Sequence, residues 1–117
     1  MPSLARAAST ASSIQTDQSA SALRLFLDIT VVPGTGGLYV VLRGYDRISG
    51  NAVELTQGGD AVNQIGTYAY EVGLCPDPPF GNLRDAASRS IPYQWDAQVK
   101  HLDGSTYTYS LSAEIVL

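Results

Sequence analysis

Between Leu23 and Val31 the chain alternates without a break. Leu23, Leu25, Leu27, Ile29 and Val31 take the odd positions, and Arg24, Phe26, Asp28 and Thr30 the even ones. Successive strand side chains point to opposite faces, so this period of two defines a strand with one apolar face. A helix would scatter the same leucines around its axis. Phe26 adds partial cover to the second face. The alternation returns near the other end of the chain. Tyr93, Trp95, Ala97 and Val99 alternate with Gln94, Asp96, Gln98 and Lys100. Tyr107, Tyr109, Leu111, Ala113, Ile115 and Leu117 alternate with Thr108, Ser110, Ser112 and Glu114. Asp103-Gly104 lies between these two runs and is the strongest short hairpin signal, so they are expected to pair with each other.

Other strands fit between these. Pro33, Gly34, Gly36 and Gly37 break the chain after the first strand. Residues 38–43 are apolar on both faces, as a central strand would be. The 45–51 segment reads as a turn, with Gly50 and Asn51 suited to positive φ. A short strand is expected over 52–56, followed by a loop at 57–60 and an ambiguous stretch at 61–65. Another strand covers 67–72, with Tyr68, Tyr70 and Val72 on one face. Four of the six prolines fall within 73–92 (Pro76, Pro78, Pro79 and Pro92), which reads as one long loop. No helical periodicity extends beyond about ten residues. The expected fold class is all-β: an antiparallel β-sandwich or small barrel, jelly-roll-like, with an extended N-terminal arm.

Residues 1–22 form that arm, and 23–117 the sandwich domain. The arm is mostly Ala, Ser and Thr, with Leu4 and Ile14 its only large apolar residues after Met1. Such a composition buries too little area to offset its ordering entropy. It is expected to order on a neighbouring subunit by backbone pairing, with docking on its own domain as the alternative. The arm lacks the apolar run of a secretory signal, and nothing approaches a membrane span. The expectation is a protein made and used away from membranes.

At 117 residues, one domain fits and two do not. The net charge is −4, with one lysine and six arginines scattered among eleven acids. Nucleic-acid binding requires a basic patch that displaces counterions from phosphates, and this distribution offers none. The single cysteine, Cys75, excludes an internal disulfide, and the single histidine, His101, forms no local catalytic signature with it. The carboxylates are spread through strands and turns, with no convergent pair for acid–base work. Metal-ligand spacing is absent too. The glycines after the first strand precede a strand rather than a helix, so they make no phosphate cradle. No catalytic residue, metal or cofactor is therefore expected, and the chain reads as a binding protein rather than an enzyme.

The aromatics carry the remaining signal. Tyr93, Trp95, Tyr107 and Tyr109 are expected to share one hairpin face and to anchor the core. An aromatic patch for a partner or for a sugar is the sharper reading of the same residues. Leu4, Ile14, Tyr68, Tyr70 and Phe80 are candidate partner contacts.

Two stretches, 25–55 and 91–117, together with the Ala/Ser-rich arm, resemble a family of small β-rich structural proteins of tailed phages and prophages. The shared features are Asp28 and Thr30 closing the lead strand, Pro33 to Gly36 after it, and Gly44, Asp46, Ser49 and Gly50 around the next turn. They continue with Pro92 and Trp95 opening the terminal strand, and Thr108 to Ser110 in the last one. The middle, 61–89, departs from the family pattern. The resemblance implies a virion structural role, most often capsid decoration (cement). Its partners would be the major capsid protein and the chain itself, as a homo-oligomer such as a trimer. Its location would be the capsid surface, after assembly in the host cytoplasm. A tail-tube, head-completion or head–tail connector component is the alternative, and a carbohydrate-binding β module using Tyr93 and Trp95 the second.

Overall fold

The computed structural model describes residues 1–16, 22–33, 36–46, 48–56, 59, 61–73, 83–87 and 93–116, with backbone alone for 83–87 and 116. All regular structure among them is β: β1 (Leu4–Arg6), β2 (Thr10–Ala11), β3 (Gln15–Thr16), β4 (Ala22–Val31), β5 (Leu38–Tyr45), β6 (Ala52–Glu54), β7 (Gly66–Gly73), β8 (Leu83–Ala87), β9 (Gln94–His101) and β10 (Tyr107–Val116). The strands form two sheets. One has the order β1-β10-β4-β7-β8, and the other the order β2-β9-β5-β6, with β3 also on β9. Setting β8 aside, two antiparallel four-stranded sheets remain, each mixing strands from both halves of the chain. That order, β1-β10-β4-β7 over β2-β9-β5-β6, is the jelly-roll arrangement of two Greek keys. The all-β sandwich expected from the alternation is what forms.

The alternating residues meet between the sheets. Leu23, Leu25, Leu27 and Ile29 of β4, Tyr70 and Val72 of β7, and Tyr107, Tyr109 and Leu111 of β10 come from one side. Leu38, Val40 and Leu42 of β5, with Trp95, Ala97 and Val99 of β9, come from the other. Their partner residues in the alternation form the two outer faces. β5 is central in its sheet, between β9 and β6, as its two apolar faces require.

Two expectations are corrected. First, the terminal strands are not a hairpin. β9 pairs with β5, and β10 pairs with β4, so the chain switches sheets at Asp103-Gly104. Their apolar faces look at each other across the core instead of lying side by side. The corner is pinned by Leu102 N–H donating to the Gly37 carbonyl at 3.0 Å and by Ser105 N–H donating to Asp103 at 3.0 Å. Second, the 73–92 segment is not one loop, because β8 joins β7 in the one parallel pair among the described strands. The arm takes the alternative weighed for it, docking on its own domain. β1 pairs with β10, while β2 and β3 pair with β9, so residues 1–16 run along one side of their own sandwich and join the edges of both sheets. Backbone hydrogen bonds supply what the small side chains cannot. Smaller differences are that β6 ends at Glu54 and that the 61–65 stretch contributes a single bridge, Leu38 to Val62. Of Gly50 and Asn51 in the β5–β6 turn, Gly50 takes positive φ, at 77°.

Candidate functional site

The arm holds to the sandwich through a compact set of contacts. Ser12 N–H donates to the Ala97 carbonyl at 2.8 Å, and the Ser12 hydroxyl accepts from Ala97 N–H at 3.1 Å. The Ser9 hydroxyl accepts from His101 N–H at 3.0 Å. Serine therefore serves as a second set of ladder groups along β9, which explains how so polar an arm can lie flat. Arg6 reaches the other sheet. Its Nη1 donates to the Tyr109 carbonyl at 2.7 Å, its Nη2 to the Pro2 carbonyl at 2.8 Å, and its guanidinium lies 4.7 Å over the Tyr109 ring. His101 meets Tyr109 at its hydroxyl, with Nε2 3.0 Å from that oxygen and the two rings tilted at 52°. The His101 ring also meets Tyr107 edge-on, with centroids 5.7 Å apart. Burial holds the His101 imidazole below its ordinary range, and pushes the Tyr109 and Tyr107 phenols up.

The outer face of the β5–β9 sheet carries a second cluster. Asp96 is buried and accepts from Arg43 Nε at 2.8 Å, Arg43 Nη2 at 2.5 Å and the Tyr45 hydroxyl at 2.6 Å. The paired carboxylate raises both the Arg43 guanidinium and the Tyr45 phenol above their usual values, because the bond favours the protonated donor in each case. Lys100 pairs with Glu54 across the same face. On the opposite sheet, Arg24 lies between Glu71 at 3.8 Å and Glu114 at 3.2 Å. These are sheet-organising ion pairs. Among the described residues no group of three or more His, Cys, Asp or Glu could hold a metal. No helix of the described structure is long and apolar enough to cross a membrane.

Trp95, Tyr107 and Tyr109 are buried in the core, as expected of anchors, although they face one another across the sheets. Tyr93 precedes β9, is half-buried and stands outside the core cluster. Trp95, only 3% exposed, offers no face to a sugar. Of the candidate partner contacts, Leu4 and Ile14 are exposed at 59% and 53%. Tyr70 is a correction: its place on the inward face of β7 buries it to 3%. Tyr68 is half-buried beside a recess of about 200 Å³ formed by Ala61, Val62, Asn63 and Gln64, and its hydroxyl donates to the Gln64 carbonyl at 3.0 Å. Phe80 and Cys75 lie outside the described residues. Sequence reasoning missed Arg6, His101, Arg43 and Asp96. Arg43 and Asp96 are direct cross-strand partners in the register of β5 and β9, and that pairing is invisible when β9 is assigned to β10.

No protein-family model, curated protein or solved structure matches this chain.

Proposed function

We propose that this chain is a structural protein of a tailed-phage particle, a capsid-decorating subunit that binds the outer surface of the major capsid shell and stabilises it. One observation carries the reading. The two stretches that resemble the phage family, 25–55 and 91–117, are far apart in the chain, yet they pair with each other in both sheets. β10 lies on β4, and β9 lies on β5. The resemblance therefore falls on one continuous unit, the centre of the sandwich, rather than on scattered hairpin vocabulary. The fold order supports the same reading, since jelly rolls recur in viral shell and lectin domains. An acidic chain with net charge −4 suits a position outside the shell, away from packaged DNA.

The test is reconstitution. Purified protein is mixed with capsids that lack it, and bound protein is separated by sedimentation. Saturable binding, with capsids that then resist heating or chelation better, is the expected result. Binding only to tails or connectors favours the tail or head-completion reading. Binding to glycans with no affinity for any particle favours the carbohydrate module.

A further inference from the structure

β10 is covered unequally along its length. On one side β4 pairs it from Thr108 to Val116. On the other side β1 covers only Tyr107 to Tyr109. Beyond that, Leu111 exchanges hydrogen bonds with Met1, N–H to carbonyl at 3.0 Å and amine to carbonyl at 2.7 Å. Leu111 therefore turns its N–H and C=O away from β4. In an antiparallel strand that direction alternates, so Ala113 and Ile115 turn theirs the same way. No described strand lies beyond them. Residues 112–116 contain no proline or lysine, and the one irregularity of β10 falls at Thr108/Tyr109, well before them. Of the devices that blunt a strand edge, proline, lysine and a bulge are missing there, and one charge, Glu114, remains.

The side chains around this edge specify what would fit. On the outer face, Glu71, Arg24 and Glu114 lie in register across β7, β4 and β10. Their charges alternate, negative, positive, negative, leaving one excess negative charge. It sits at the open end, because the Arg24 and Glu71 side chains are 2% and 8% exposed while that of Glu114 is 55% exposed. An added strand would place a residue directly beside Glu114, where a cation continues the alternation. On the inner face, Ile115 is 44% exposed although its register partner Leu23 is fully buried. Apolar residues on either side of the cation would cover Ile115 and Ala113. The same edge of a second copy, paired about Glu114, would set Glu114 against Glu114, and opposed like charges are unfavourable.

We propose that the Ala113–Ile115 edge of β10 is a docking site for an extended segment of a partner protein in which a lysine or arginine lies between two apolar residues. The segment adds a strand to the sheet. Two N–H and two C=O groups of Ala113 and Ile115 supply the backbone bonds, and Glu114 supplies the selectivity. This inference rests on the edge geometry and stands apart from the particle on which the protein acts.

The test uses the isotope-labelled full chain and two capped peptides, Thr-Val-Lys-Val-Thr and Thr-Val-Glu-Val-Thr. The expected result is that the lysine peptide shifts the Ala113 and Ile115 amide resonances at concentrations about tenfold below those of the glutamate peptide, a difference of about 1.4 kcal/mol. Glu114→Lys should reverse the preference. Ile115→Pro should abolish binding while the spectrum stays dispersed, since the lost N–H points away from β4 and meets no described strand. Absence of a shift with both peptides, equal response to both, or dilution-dependent shifts of these amides in the protein alone would overturn the proposal, the last by revealing self-pairing.

Discussion

The Arg6 guanidinium lies 4.7 Å above the ring of Tyr109 and donates to the carbonyl of the same residue at 2.7 Å. One arm side chain thus grips one fully buried core residue twice. Tyr109 cannot move without disturbing the core, so the arm inherits its rigidity from the sandwich. Arg6→Ala removes both contacts and should lower stability by about 1–2 kcal/mol. Native-state hydrogen exchange distinguishes the arm from the body. Faster exchange in residues 4–16, with β4 and β5 unchanged, is the expected pattern. Unchanged exchange across the arm would show that the backbone ladder alone holds it.

His101 makes the same junction sensitive to acid. Burial keeps its imidazole below the usual range in the folded protein, while the unfolded chain titrates near about 6.5. As pH falls through that value, the unfolded state takes up the proton first. Stability therefore declines between the unfolded and folded pKa, and the loss is complete below the folded one. The charged groups near the ring are Arg6, which adds to the penalty, and Asp103, which offsets part of it. Melting temperature measured against pH should fall more steeply for the native chain than for His101→Gln, with the curves separating as pH drops below about 6.5. Parallel curves would contradict this.

Trp95 fills the middle of the core opposite β10, with 3% exposure. Truncation to alanine costs on the order of 3–5 kcal/mol at such a site, a large share of the stability of a domain this size. Trp95→Ala should be insoluble or molten by near-ultraviolet circular dichroism. A soluble, well-packed variant would mean that the indole contributes little to the core.

Asp96 is buried on an outer face and accepts three hydrogen bonds from two donors, Arg43 and Tyr45. Asp96→Ala strands the Arg43 guanidinium against β9. Because the Arg43 side chain is 22% exposed, water replaces part of what is lost. The expected cost is about 1.5–3 kcal/mol by denaturant melting. Double substitution with Arg43→Met should recover much of it, since both charges then go. No recovery would show that Tyr45, not the ion pair, carries the interaction.

The strands were legible wherever an apolar face alternates against a polar one. Leu23 to Ile29, Trp95 to Val99 and Tyr107 to Leu111 announce themselves, and they build the core. Their partners were not legible. An apolar face looks the same in sequence whether its neighbour lies beside it in one sheet or opposite it across a sandwich, so Asp103-Gly104 reads as a hairpin and serves as a corner. The arm's hold on its own domain was illegible for a different reason. Side-chain composition measures buried area, but Ser9, Ser12 and Arg6 bind through hydrogen bonds to backbone, which hydrophobicity does not count. Tyr70 shows the converse: it reads as a candidate partner contact, and its parity on β7 buries it.

The central claim is that this sandwich decorates a phage shell, and its abundance in the particle tests that most directly. Quantitative mass spectrometry of purified, tailed virions should find it in a fixed ratio to the major capsid protein, at a level comparable with the shell itself. A handful of copies per particle, or none, would contradict the claim.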